Sequence, residues 1–218
     1  MKFNFIVNIF IYVYSSHNEP IRCLDYNPKS HQLLSCTSSD FGLWSPEQKT
    51  VAKTKMSSQI NCCCWNKDGT TFAVGMNSGT ISVRLKFGEE KYKIERLSGP
   101  VWAILFYNCQ DKHENIAVAD WSRNLSFYNA TTGSQVNNSR NLSFDPLFMT
   151  FLSIAQNDFL LIGGSNCKVL VYTLEGIYID TLTTNTSWVW ACQVNRNRCV
   201  SVFFCFYQLC LKLFLITE

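Results

Sequence analysis

The sequence predicts an all-β protein assembled from one repeated unit of short strands, and three observations carry that prediction. Residues 60–84, INCCCWNKDGTTFAVGMNSGTISVR, read as a β-unit: an apolar and cysteine run, a Lys67-Asp68-Gly69-Thr70 turn, a second compact run, an Asn77-Ser78-Gly79 turn and a third strand. In that third strand Ile81, Val83 and Leu85 alternate with Thr80, Ser82 and Arg84, the period of two that marks a strand. The same unit recurs. A step of 39 residues back lays Ile60, Cys62, Trp65, Ala73, Gly79 and Val83 on Ile21, Cys23, Tyr26, Leu34, Asp40 and Trp44. A step of 44 forward lays Ala73, Val74, Ser78 and Val83 on Ala117, Val118, Ser122 and Phe127, and a further 44 reaches Leu161, Ile162, Val171 and Tyr172. A period near 40 to 45 with three or four strands per unit is the signature of a WD40-type β-propeller, whereas tetratricopeptide, HEAT and ankyrin repeats require helical spacing. The expected architecture is therefore an incomplete propeller of about four blades plus the start of a fifth.

Repeat one covers residues 21–56, with strands expected at 22–26, 32–36, 41–45 and 51–56; Pro46 sits just outside the third, where its missing N–H removes no ladder bond. Repeat two is the reference unit, closed by a strand at 92–96. Repeat three spans about 101–140 and repeat four 147–182, and Trp188-Val189-Trp190 opens a fifth. None of the four repeats carries the Trp-Asp pair of the class: Trp44-Ser45, Val83-Arg84, Phe127-Tyr128 and Val171-Tyr172 stand there instead. The repeats are degenerate.

Both ends depart from the pattern, which divides the chain into residues 1–16, an atypical apolar segment; 17–194, the propeller fragment; and 195–218, a second apolar segment with no Gly, Pro or Asp. Residues 1–14 carry a single Lys2 and no small-residue cleavage site before His17, so a strand is expected there rather than a signal peptide. Residues 199–217 have the length of a membrane helix but include Gln208 and Lys212; a truncated or mis-spliced gene model is the expectation.

Composition narrows function by exclusion. Nineteen Lys and Arg against sixteen Asp and Glu leave a net charge of +3 without a basic stripe, so no nucleic-acid partner is expected. Eleven cysteines, an odd number, include the consecutive Cys62, Cys63 and Cys64, and alternation along a strand sends Cys62 and Cys64 to one face and Cys63 to the other. Neither CxxC pairs nor Cys and His at ligand spacing occur, so reduced thiols and no metal are expected. There is no Gly-x-Ser-x-Gly elbow, no His-Glu-x-x-His and no phosphate loop, so no catalytic residue, cofactor or small-molecule substrate is expected. His17, His31 and His113 fall in predicted loops and are expected to be solvated. Asp40 and Asp120 are expected to tie the turns between second and third strands. Trp102, Trp188 and Trp190 recur at the starts of repeats, where blade packing is the expected role and a partner hot spot the alternative. Sequons at Asn124, Asn129, Asn137, Asn141 and Asn185 matter only in a secretory setting.

SSDFGLWSPEQK at 38–49 and GEEKYKIER at 88–96, with IAVADW at 116–121, NLSFDP at 141–146, Leu161-Ile162-Gly163-Gly164-Ser165 and Ser187-Trp188-Val189-Trp190, resemble the first WD-repeat propeller of the intraflagellar transport protein 122 family, over roughly residues 17–194. The resemblance implies a non-enzymatic scaffold of intraflagellar transport complex A, in the cilium, ciliary base and cytoplasm. It implies other complex A subunits as partners, and the retrograde ciliary motor and ciliary membrane receptors as indirect ones. It assigns no individual interaction residue. A membrane-anchored or secreted propeller with hydrolase activity is the alternative from another class.

Overall fold

The computed structural model describes residues 17–45, 51–108, 113–154, 157–195, 198–205 and 208–215, with side chains described as far as residue 194. The apolar segment 1–16 and Pro46 lie outside the described residues. Every regular element described is a strand.

The first sheet consists of β1 (Cys23–Tyr26), β2 (Leu33–Cys36), β3 (Asp40–Trp44) and β4 (Ala52–Lys55). The second holds β5 (Ile60–Trp65), β6 (Thr71–Met76), β7 (Ile81–Leu85) and β8 (Glu90–Ile94). The third holds β9 (Val101–Asn108), β10 (Glu114–Asp120), β11 (Asn124–Asn129) and β12 (Gln135–Asn141). The fourth holds β13 (Pro146–Ile154), β14 (Asn157–Gly164), β15 (Lys168–Tyr172) and β16 (Tyr178–Thr184). Each is a four-stranded antiparallel meander in chain order, one blade per repeat. The fifth sheet is three-stranded: β17 (Val189–Asn195), β18 (Arg198–Cys205) and β19 (Gln208–Leu215). Strands thus cover residues 198–205 and 208–215 of the apolar segment, and among the described residues no helix is long and apolar enough to cross a membrane.

The first strands of successive sheets pack in order, β1 on β5, β5 on β9, β9 on β13 and β13 on β17, which sets the blades side by side around an axis. The second strand of each blade is buried on both faces, and its side chains split by parity. Val74 enters the cluster shared with the first sheet, while Ala73 enters the one shared with the third. Ile116 and Val118 face back to the second sheet and Ala117 forward to the fourth; Leu160 and Ile162 face back and Leu161 forward. A two-sided environment explains why these strands read as continuous apolar runs rather than alternating ones. The outermost strands β4 and β12 are mostly exposed, which suits their Lys, Asn and Arg content.

Close blade contact selects small residues. A Cβ on Gly75 would lie 2.5 Å from the Val101 side chain and 2.6 Å from Cys62 Sγ, so only glycine lets β9 approach β6 this closely. The turn between second and third strands repeats at the level of the backbone. Gly79 (φ 84°), Arg123 (φ 63°) and Cys167 (φ 60°), spaced by the 44-residue period, all occupy the left-handed region. The period was thus retained in conformation where residue identity drifted.

Candidate interaction faces and polar braces

The starts of the first strands and the turns joining second to third strands lie at one end of the blades. In the first and third blades, buried polar groups here tie the entry loop to the blade's own turn. In the first blade His17 Nδ1 lies 2.8 Å from Asp40 Oδ1 and Nε2 lies 2.7 Å from Ser35 Oγ, while Trp44 Nε1 donates to Ser35 Oγ at 2.6 Å. These partners assign the tautomer. With the proton on Nδ1, indole N–H donates to Ser35, Ser35 O–H donates to Nε2, and Nδ1–H donates to Asp40, so that both ring nitrogens are satisfied. Thr37 Oγ1 adds a 2.8 Å bond to the same Asp40 oxygen.

His17 is therefore not the solvated loop residue the sequence suggested; its side chain is 4% exposed, between Asp40 and the Trp44 ring. Linear spacing could not reveal this, because the partners lie 18 and 23 residues away and meet only when the sheet forms. The serine, histidine and aspartate also have the connectivity of a nucleophilic triad. Ser35 is 1% exposed, however, and its oxygen already accepts the indole N–H, so no substrate carbonyl reaches it. The arrangement braces the blade.

The third blade meets the same need with other residues. Arg96 Nη2 donates to Asp120 Oδ2 at 2.5 Å, Arg96 Nε to Tyr128 Oη at 3.0 Å, and Ser98 Oγ to Asp120 at 2.5 Å. Both members of this ion pair are buried, Asp120 completely. Asp40 and Asp120 do tie turns, as turn chemistry suggested, and each also anchors the segment that leads into its own blade's first strand.

Around these braces the same end presents aromatic surface. The Trp102 and Trp121 rings stack with centroids 4.3 Å apart and planes 7° from parallel, and Trp121 remains 47% exposed. Trp188 and Trp190 lie 6.1 Å apart and are 44% and 43% exposed. Blade packing, the role expected for the recurring tryptophans, does not bury these two rings; Val189 and Cys192 make the contact with the fourth sheet instead. The register of β17 with β18 shifts between Val189 and Ala191, and this bulge lets Val189 and Cys192 both face the fourth sheet while Trp190 does not. His31 and His113 are exposed, and His31 Nδ1 meets Tyr26 Oη at 2.8 Å.

The opposite ends of the first strands converge on a cleft of about 620 Å³, lined among others by Asp25, Tyr26, Trp65, Phe106, Phe151 and Asp158 from four blades. Burial raises the Asp25 carboxyl above the usual carboxylate range, although it accepts the backbone N–H groups of Trp65 and Tyr26. Burial likewise pushes the Cys64 thiol up to about 12.

The cysteine run divides between faces as alternation requires: Cys62 and Cys64 pack toward the third sheet and Cys63 toward the first. That placement has a result the linear spacing concealed. Cys63 meets Cys23 and Cys36, which are directly paired across β1 and β2, and all three sulfurs lie within 4.8 Å of one another. Hydrogen bonding from Cys36 and then Cys63 holds Cys23 at about 5, against an ordinary thiol value of 9.0, while the hydrogen bonds with Cys23 raise both partners. The cluster is three cysteine sulfurs hydrogen-bonded to one another. No spacing rule along one chain segment finds it, because the sulfurs come from three strands of two sheets.

Serial four-stranded meanders, a 39-to-44-residue period and entry-loop braces define a β-propeller of the WD-repeat class. A family model described as "IFT122 first beta-propeller" matches residues 8–205, and the chain belongs to that family. The match extends beyond the 17–194 stretch on both sides. The chain is 46% identical over 204 residues to intraflagellar transport protein 122 homolog of Mus musculus, covering 89% of this chain and 17% of that protein. It is 46% identical over 186 residues to the Danio rerio homolog, covering 84% and 15%, and 35% identical over 263 to the Homo sapiens homolog, covering 89% and 21%. It thus spans about a fifth or less of the length of these relatives.

Proposed function

We propose that this propeller is a non-catalytic scaffold module of intraflagellar transport complex A, supporting retrograde ciliary transport, cilium assembly and the entry of membrane receptors into cilia. Its partners are other complex A subunits, with the retrograde motor and receptors engaged indirectly, and it works in the cilium, at the ciliary base and in the cytoplasm. The observation that supports this reading is the family match over residues 8–205, on a chain whose serine, histidine and aspartate constellation is sealed against substrate. A braced propeller is suited to the task, since it holds loops and aromatic rings in place before binding and so limits the ordering cost of association.

The test is depletion of every isoform in ciliated cells, followed by rescue. Shortened cilia, transport particles accumulating at tips and loss of complex A subunits from a tagged-protein pull-down are the expected results. Normal cilia without tip accumulation, after verified loss, would leave only a generic propeller scaffold.

A further inference from the structure

We propose that Cys23, Cys36 and Cys63 form a three-thiolate site for a thiophilic d10 metal ion, Zn²⁺ or Cu⁺, held between the first and second blades. The three sulfurs converge from β1, β2 and β5 within 4.8 Å of one another. Metal–sulfur bonds of about 2.3 Å would set them about 3.8 to 4.0 Å apart, so occupancy requires a contraction of less than about 1 Å. Rigid elements supply all three ligands: Cys23 and Cys36 are register partners in a ladder, and Cys63 stands on the neighbouring sheet's first strand.

The surroundings suit such an ion. Cys36 is buried while Cys23 and Cys63 are half-buried, and with zinc a fourth ligand would complete the tetrahedron. Leu34, Phe41 and Phe72 belong to the core cluster against which Cys23 and Cys63 pack, and thiolates in an apolar shell favour soft cations over hard ones. Three thiolates and Zn²⁺ carry a charge of −1. Loading displaces the thiol protons to solvent, with no change in oxidation state.

Cys62 and Cys64, the flanking members of the run, face the third blade and stay outside the site. Its position also assigns a role: an ion here bonds the first blade to the second.

The experiment uses the whole 218-residue chain, purified with a phosphine reductant and stripped with chelator, then titrated with Zn²⁺ or Cu⁺ against a competing chromophoric chelator, with Co²⁺ as a spectroscopic probe. About one ion per chain is expected, with thiolate-to-cobalt charge-transfer absorption and a rise in Tm on loading. Cys23→Ser and Cys63→Ser should each weaken binding by about tenfold or more. Cys167→Ser and the triple change Cys199→Ser, Cys205→Ser, Cys210→Ser should leave it intact. Tighter competition by one ion decides between zinc and copper. Sub-stoichiometric binding to folded protein, binding that survives both ligand variants, or a Cys23–Cys36 disulfide formed in place of metal uptake would overturn the proposal.

Discussion

Replacing Asp120 by Asn tests whether buried braces, rather than the lost Trp-Asp pairs, hold these degenerate repeats together. The carboxylate is fully buried and pairs with Arg96, itself 3% exposed. Oδ1 accepts the backbone N–H of Asn124 at 3.1 Å, and Oδ2 accepts from Ser98 and Arg96. Asparagine keeps the shape and one carbonyl oxygen but removes the countercharge. Arg96 is left as an uncompensated cation whose Nη1 already has no partner among the described residues. Removing one member of a buried pair costs about 3 to 5 kcal/mol, against roughly 0 to 1 for an exposed pair such as Arg123 with Asp145. At about 2 to 4 °C per kcal/mol for a domain of this size, Tm should fall by about 10 °C. Thermal unfolding of the wild type, Asp120→Asn, Arg96→Met, Arg123→Gln and the double variant Arg96→Met with Asp120→Asn measures this. The double variant should recover much of the loss, because no charge remains buried. A fall below about 2 °C for Asp120→Asn, or a double variant as unstable as the two single losses added, would refute the reasoning.

Three further outcomes are expected. Phe72→Ala, at a fully buried ring 5.4 Å from Phe41 and 4.9 Å from Trp65, should cost about 3 to 5 kcal/mol in urea unfolding, whereas Phe87→Ala at an exposed ring should cost under about 0.5. Because the Cys23 value is depressed to about 5, its thiolate contribution to stability is present above the ordinary thiol value and is lost as pH falls through about 5. Alkylation of Cys23 in metal-free protein, followed by mass spectrometry, should therefore be nearly flat between about pH 6 and 8, where a thiol of ordinary value accelerates steeply. Trp121→Ala combined with Trp188→Ala should reduce recovery of complex A subunits by about tenfold or more, with Tm changed by less than about 2 °C; unchanged recovery would remove this end of the propeller from the interface.

The sequence by itself determined the repeat number, the strand order and the faces of the cysteine run. Those features follow from period: turns at fixed offsets cut the chain into strands, and alternation within a regular strand assigns a face. The split of Cys62, Cys63 and Cys64 is legible on that basis. Family membership was also legible, in SSDFGLWSPEQK and GEEKYKIER. Only the tertiary structure decided what lies beside what across blades and between a blade's ends. His17 reads as a loop residue until sheet formation brings Ser35 and Asp40 to its two nitrogens. Trp188 and Trp190 read as packing residues until the register shift in β17 leaves them partly exposed. Cys23, Cys36 and Cys63 lie 13 and 27 residues apart and converge only because two strands pair and a neighbouring blade packs on them. Periodicity reports the contacts a residue makes within its own unit; contacts between units depend on register and blade rotation, which no local pattern encodes.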